Sequence, residues 1–174
     1  MRRLVLKKQY NTHHCMVCGL QNRSGLRARF YELENGEIGG TFLPTPDHQG
    51  YPGRLHGGVA SSLLDEVIAR TINVLEPETW AVTVELDVKY RKPVPMDREV
   101  TAVGRLTRDT RRLFEGRAEI RLANGDVAVE ATGRFMKLPF SSISDAAIVG
   151  GDWQADDPEG QRDFLDIPEK EDAR

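Results

Sequence analysis

The chain has 174 residues, of which 39% are hydrophobic and 29% charged, and its formal net charge is −3. This balance predicts one soluble domain with a single core, and no apolar run approaches the ~18 residues that a membrane-spanning helix needs. Two cysteines cannot build a disulfide framework and the basic start of the chain lacks the apolar stretch of a secretory signal, so we expect a cytoplasmic protein.

The first half of the chain predicts a hairpin followed by one long helix. Residues 1–25 are polar and irregular in pattern. Alternating apolar residues over 26–33 and 37–43, joined by Asn35-Gly36, predict two antiparallel strands. Apolar residues at four-residue steps then predict a helix over about 57–75.

A period of two follows the predicted helix. Even-numbered positions from Trp80 to Tyr90 are apolar or aromatic and are predicted to share one face of a long strand, with Thr83 on the other face. Further strands are predicted over 100–106, 114–122 and 127–135. One apolar helix among mostly antiparallel strands predicts an α+β domain whose sheet wraps around that helix.

The C-terminal part differs in composition. Residues 139–174 lack periodicity and hold ten acidic against three basic side chains. We predict a single domain over 1–138, followed by an acidic tail over 139–174 that is loosely ordered or docked. The body is mildly basic, which suits a small anionic ligand but is too weak a charge to indicate nucleic-acid binding.

The start of the predicted helix is the sharpest candidate site. Gly57 and Gly58 leave backbone N–H groups unshielded there, and the helix dipole adds partial positive charge. Such a group of donors suits a polarised carbonyl or an oxyanion. The structural alternative is that the two glycines only permit a tight turn.

Two carboxylates follow on the same helix. Glu66 has Arg70 four residues later and is interpreted as half of a surface ion pair. Asp65 has no such partner on the helix. It therefore lies at a cleft, as a candidate base or nucleophile, or it is bonded to a polar group from elsewhere in the chain.

The N-terminal segment contains residue types that bind zinc. His13, His14, Cys15 and Cys18 are close in sequence, but adjacent histidines rarely bind one ion and no second ligand pair follows. A redox role for the two cysteines is disfavoured because no βαβ unit follows them. We predict no metal site and interpret the segment as a tight turn with small buried thiols.

The run from His56 to Glu66 resembles the signature of the hotdog-fold acyl-CoA thioesterases of the phenylacetate-pathway type. Residues 15–19, 25–27 and 81–86 resemble other segments of that group, and the resemblance spans about residues 15–138. It implies an antiparallel sheet wrapped around a central helix, in homodimers or tetramers with active sites between subunits. It implies no cofactor beyond the coenzyme A of the substrate.

The resemblance also implies catalytic roles. The N–H of Gly57, together with that of Gly58, would polarise the thioester carbonyl. Asp65 of a partner subunit would act as base or nucleophile. Thr83 matches a hydroxyl residue that positions the water or the carboxylate, and an ordinary strand residue is the equal alternative.

Substrate-binding candidates follow from the same resemblance. Some relatives carry an asparagine shortly before His56, where this chain offers His48 or Gln49 to align the substrate. His56 itself is also explained as a residue that orients the turn. Arg91 and Arg111 are candidates for the coenzyme A phosphates, with a solvated charged rim as the alternative.

The sequence therefore predicts an acyl-CoA thioesterase. A non-catalytic acyl-CoA-binding module and a hotdog-type enoyl-CoA hydratase stay open as alternatives. The hydratase needs a histidine paired with a carboxylate, and His56 lies too far from Asp65 along the helix for a close pair within one chain. The acyl group, the choice between base and nucleophile, and the number of subunits stay open.

Overall fold

The computed structural model describes residues 1–142 and 154–169. One α-helix, α1, spans Gly57–Ala69 in these residues. The strands are β1 (Arg2–Lys8), β2 (Arg29–Leu33), β3 (Ile38–Phe42), β4 (Thr79–Tyr90), β5 (Val100–Asp109), β6 (Leu113–Arg121), β7 (Val127–Pro139) and β8 (Phe164–Asp166). They form one antiparallel sheet in the order β4-β7-β6-β5-β3-β2-β1-β8. Helix α1 packs against β3 to β7, which confirms the predicted α+β architecture.

Side chains of helix α1 pack directly against the sheet backbone at two glycines. A Cβ on Gly104 of β5 would be 2.5 Å from Cγ1 of Val67, and one on Gly116 of β6 would be 2.6 Å from Cγ2 of Ile68. Both helix side chains are fully buried in the main core cluster. The sheet backbone therefore forms part of the surface on which the helix packs, and this contact sets the distance between α1 and the sheet.

The helix is shorter than predicted. It ends at Ala69 and continues as turns, with a short 3-10 segment at Ile72–Val74, instead of running to residue 75. The hydroxyl of Thr71 donates to the carbonyl of Ile68 at 2.7 Å, and the N–H of Thr71 donates to the same carbonyl at 3.0 Å. This carbonyl would otherwise accept the next helical hydrogen bond, so the α-helix stops here.

Strand β4 changes face half-way along its length. Its pairing with β7 shifts register between Thr83 and Glu85, so that Val84 is an extra residue in a β-bulge. Ala81 before the bulge and Leu86 after it both pack on the helix-side core, whereas Val84 is 52% exposed. The prediction that the even-numbered positions share one face along the whole strand is therefore wrong. The positions that face the core are odd-numbered before the bulge and even-numbered after it.

Two strands were not predicted from the sequence. Strand β1 pairs with β2, and β8 pairs with the start of β1. The segment 154–169 docks on this end of the sheet, where buried Asp157 binds Arg29 at 2.7 Å and Lys8 at 3.2 Å. Leu165 packs in a small second core with Tyr31. The domain boundary after residue 138 stays a prediction, and residues 143–153 and 170–174 of the predicted tail lie outside the described residues.

Candidate active site

Asp65 projects from the side of α1 that faces β4. Its carboxylate is half-buried, and its Oδ1 accepts a hydrogen bond from the hydroxyl of Thr83 at 2.9 Å. Burial raises the pKa of Asp65, the neighbouring carboxylate of Glu66 raises it further, and the bond from Thr83 opposes both. The sequence left two alternatives for Asp65, a position at a cleft or a bond to a polar group from elsewhere in the chain. The structure shows such a bond, because Thr83 of β4 donates to the carboxylate. A carboxylate with a raised pKa is also a better proton acceptor near neutral pH.

The bulge at Val84 brings two polar groups of β4 to the helix. Thr83 lies before the bulge and contacts Asp65, while Tyr90 lies after it and donates its hydroxyl to the carbonyl of Gly57 at 3.1 Å. In a regular strand, positions 83 and 90 point to opposite faces. One inserted residue therefore aligns both hydroxyls with α1.

The start of α1 leaves one N–H available. His56 caps the helix, and its Nδ1 accepts the N–H of Gly58 at 3.0 Å. Its carbonyl accepts the N–H groups of Val59 and Ala60. Within residues 1–142 and 154–169, no group accepts the N–H of Gly57. The expectation that Gly58 shares the carbonyl-polarising role is thus corrected, because His56 already occupies its donor.

Tyr90 is a site residue that the sequence reasoning missed. Its ring lies against Gly57, where an added Cβ would be 3.3 Å from Cε1 of the ring, so a side chain at this position would press on the ring of Tyr90. The side chain is 55% exposed, and its hydroxyl also lies 3.4 Å from Oγ of Ser61. The available signal was an aromatic residue with a hydroxyl at the end of an otherwise aliphatic strand.

The catalytic candidates of one chain are too far apart to act on one carbonyl. Asp65 follows Gly57 by eight residues, which is about 12 Å along a helix axis. A reacting carbon must lie about 3 Å from both the nucleophile and the oxyanion donors. One chain therefore places the two candidate groups apart, one at the start of α1 and one at Asp65, and we refer to them as candidate half-sites.

The predicted aligning residues stabilise the loop before α1. His48 is only 2% exposed, its Nδ1 accepts the N–H of Thr45 at 3.0 Å, and its carbonyl accepts the N–H of His56 at 2.9 Å. The side chain of Gln49 accepts the N–H of Gly53 at 2.9 Å. Burial of the His48 ring contradicts a direct contact with substrate; its role here is to hold the loop that delivers His56.

The two basic candidates lie at opposite ends of β4. Arg91 directly follows this strand and binds Glu130 at 2.6 Å. Arg111 lies in the exposed turn between β5 and β6. The carbonyl of the next residue, Arg112, accepts the N–H of Lys137, and Lys137 pairs with Ala81 near the start of β4. About ten residues of extended strand separate the two ends, or roughly 33 Å. The structure therefore does not bring these arginines together within one chain.

Three potential metal ligands meet elsewhere in the described part of the chain. The sulfur atoms of Cys15 and Cys18 and a carboxylate oxygen of Glu66 lie within 4.8 Å of one another. Neither His13 nor His14 belongs to this group. The carboxylate of Glu66 already accepts the guanidinium of Arg70 at 2.8 Å. The predicted absence of a metal site stays a prediction.

Comparisons with known proteins agree with this architecture. Residues 52–129, which contain Gly57, Asp65 and Thr83, match the family model described as thioesterase superfamily. No curated protein matches the chain. The solved thioesterase superfamily protein RHA08564 is 32% identical with a TM-score of 0.63, over 71% of this chain and 63% of that one. This chain thus spans slightly less than two thirds of that relative.

Two further solved structures have related folds. The BH2602 protein from Bacillus halodurans, solved with CoA, is 25% identical with a TM-score of 0.56, over 63% of this chain and 72% of that one. A phenylacetic acid degradation-related protein from Ralstonia eutropha JMP134 is 21% identical with a TM-score of 0.57, over 64% and 85% of the two chains. At that identity, the second likeness shows the fold alone.

The fold is the hotdog thioesterase fold, with one helix packed against an antiparallel sheet. The match to the thioesterase superfamily covers the segment that carries the two candidate half-sites. The narrower assignment to the phenylacetate-pathway type stays a prediction. None of the helices in the described residues qualifies as a membrane span.

Proposed function

We propose that the protein is an acyl-CoA thioesterase, which hydrolyses a thioester to a free acid and coenzyme A. The observation that carries this proposal is Asp65, a half-buried carboxylate with a raised pKa on the helix whose first N–H is available at Gly57. Activation of water and polarisation of a carbonyl are the two functions that thioester hydrolysis requires.

In the proposed reaction, the thioester oxygen accepts the N–H of Gly57 from one copy of the chain. Asp65 of a second copy either takes a proton from the attacking water or attacks the carbonyl carbon itself. The carbon–sulfur bond then breaks, and the coenzyme A thiolate leaves and takes up a proton. With water as the nucleophile this step gives the free acid directly, whereas attack by Asp65 leaves an anhydride between the acyl group and Asp65, which a water molecule then hydrolyses to the free acid and the carboxylate. Thr83 holds the carboxylate in position through its hydroxyl.

The long edge of β4 supports the proposal of a two-fold dimer. On its side away from β7, no described strand pairs with it, so it can bind another copy of itself antiparallel. The two α1 helices would then run antiparallel, with the start of one near Asp65 of the other. The same pairing brings Arg91 of one copy towards the partner's Arg111, which would place both charges beside one anionic substrate.

Support for a coenzyme A thioester comes from the CoA bound to the BH2602 protein. The hydratase alternative is less well supported, because Nδ1 of His56 accepts the N–H of Gly58 and the imidazole caps α1.

The proposal is tested by thiol release from short, long and aromatic acyl-CoAs. We expect wild type to turn over some of these substrates and Asp65→Asn to lose at least ~100-fold in rate, as for the loss of a general base. Asp163→Asn is the matched control, because Asp163 is exposed in the docked C-terminal segment, on β1's side of the sheet. Circular dichroism and sedimentation establish that all variants keep their fold and assembly.

Two results would contradict the proposal. If Asp65→Asn keeps wild-type rates, the carboxylate is structural. If no acyl-CoA is hydrolysed although acyl-CoA binds, the chain is a binding module. After a single turnover in ¹⁸O-labelled water, label in the carboxylate of Asp65 identifies nucleophilic attack, because a general base forms no covalent bond to the acyl group.

A further inference from the structure

The turn formed by Cys15, Met16, Val17 and Cys18 surrounds one sulfur atom with donors. Sγ of Cys15 accepts the N–H of Val17 at 3.3 Å and the N–H of Cys18 at 3.4 Å. Two backbone dipoles directed at one sulfur stabilise it as a thiolate, as at the start of a helix. This geometry differs from that of an inert buried thiol.

The two cysteines have different surroundings. Cys15 is partly exposed, whereas Cys18 is 1% exposed and belongs to the main core cluster. The two sulfur atoms lie within 4.8 Å of each other, and the interaction with the Cys18 side chain lowers the pKa of Cys15 to about 6 against the opposing effects of burial and Glu66. The same interaction, together with burial, raises the pKa of Cys18. The shared proton therefore stays on the buried sulfur, and the accessible sulfur carries the charge.

A buried cation accompanies the pair. Arg70 is 6% exposed, and its positive charge favours the thiolate form of Cys18, while Glu66 opposes it. Arg70 also occupies the carboxylate of Glu66 and donates to the carbonyl of Tyr10 at 3.0 Å. A divalent metal held by the two sulfurs and Glu66 would have to displace this ion pair and would be repelled by the guanidinium. The arrangement favours thiol chemistry over metal binding.

We propose that Cys15 and Cys18 form a redox-active dithiol, a modification site that reacts with small disulfides. This differs from the sequence-based interpretation, which disfavoured redox chemistry because no βαβ unit follows the motif. The donors that such a motif gains from a helix are supplied here by the turn itself.

The reaction has two exchange steps, shown here for oxidised glutathione. The Cys15 thiolate attacks one sulfur of the small disulfide, which forms a Cys15–glutathione disulfide and releases one glutathione thiolate. Cys18 then loses its proton and attacks Sγ of Cys15, which forms the Cys15–Cys18 disulfide and releases the second glutathione. The protein dithiol is oxidised by two electrons, and one glutathione disulfide is reduced to two thiols.

The experiment uses the full-length, reduced, metal-free protein and oxidised glutathione as the probe. After an acid quench and alkylation, a tryptic peptide covering residues 9–23 carries both cysteines. From wild type we expect this peptide without alkyl groups and lighter by two hydrogen atoms than the unalkylated dithiol peptide, as an internal disulfide requires. Cys18→Ser should stop at a stable glutathione adduct on Cys15, and Cys15→Ser should form an adduct at least ~10-fold more slowly.

A pH comparison tests the reactivity of the folded site. At pH 6, the native protein should react about tenfold faster than the same chain in guanidinium, because a larger fraction of Cys15 is thiolate in the folded protein. The proposal is overturned if both single variants form adducts equally fast, if wild type stops at the mixed disulfide, or if the unfolded chain reacts faster. It is also overturned if the purified protein holds one equivalent of zinc that both cysteines are needed to retain. None of these outcomes depends on thioester hydrolysis.

Discussion

Replacing Thr83 by valine tests how the bond to Asp65 contributes to catalysis. Valine keeps the branched shape but removes the hydroxyl that donates to the carboxylate at 2.9 Å. Burial and Glu66 then act on Asp65 unopposed, so its pKa rises further. A base is active only when deprotonated, so the acid limb of the rate profile should move to higher pH.

The size of the effect follows from the exposure of the pair. A hydrogen bond to a charged group contributes about 1.5–3 kcal/mol, and exposed Thr83 lets water replace part of it, which leaves about 1 kcal/mol. We therefore expect about a fivefold loss of rate on the acid limb and a smaller loss at high pH. The assay is thiol release against pH, with Thr83→Ser as the control that keeps the hydroxyl. Identical acid limbs for the valine and serine variants would refute this reasoning.

Three further predictions concern stability. Gly104→Ala should lower the free energy of unfolding by about 1–3 kcal/mol, measured with urea, and adding Val67→Ala should restore part of the loss because it removes the 2.5 Å contact. Arg70→Met should lower the free energy of unfolding by about 3–5 kcal/mol in the same assay, because it leaves Glu66 without its partner. The double variant Arg70→Met with Glu66→Gln should lose less than the sum of the two single losses. Arg29 and Lys8 lower the pKa of Asp157. The docked segment should therefore keep its hydrogen-exchange protection above pH ~4 and lose it as the pH falls through the pKa that Asp157 has in the folded protein. In Asp157→Asn that pH dependence should disappear.

Periodicity predicted the part of the fold that surrounds α1. The strands of the hairpins were found from alternation and from their Asn-Gly turns, where Gly36 and Gly125 have φ of 77° and 79°. The start of the helix at Gly57 was also predicted, because the change from a Gly- and Pro-rich loop to an apolar repeat is a local signal. The end of the helix was not, since it depends on the side-chain bond of Thr71.

Tertiary contacts explain what the sequence reasoning missed. Strand β1 has basic residues on both faces and β8 has three residues, so neither shows a usable period. Arg70 was expected at the surface in its pair with Glu66. It is buried because Gln9 and Tyr10 contact it from the N-terminal segment and the ring of Phe30 in β2 lies 4.3 Å from its guanidinium.

The candidate site was predictable by residue type but not by geometry. Asp65 was singled out because it lacked a helical partner. The structure shows that Thr83 donates to its carboxylate, and the catalytic roles of both residues stay predictions. The role of Tyr90 depends on the bulge at Val84, and a single inserted position has no signature in an apolar strand. The loss of the Gly58 donor to His56 likewise needed coordinates.

The two ends of the sheet differ in what they offer another chain. β4 ends the sheet with twelve residues, whereas β8 ends it with three, a length that offers little template for strand addition. Among the strands of residues 1–142 and 154–169, copies that join edge to edge through β4 leave the short β8 edges outside. We therefore expect assembly to stop at a closed pair instead of continuing into a filament. The β4 edge that can bring two candidate half-sites together would then also limit aggregation, because pairing covers it.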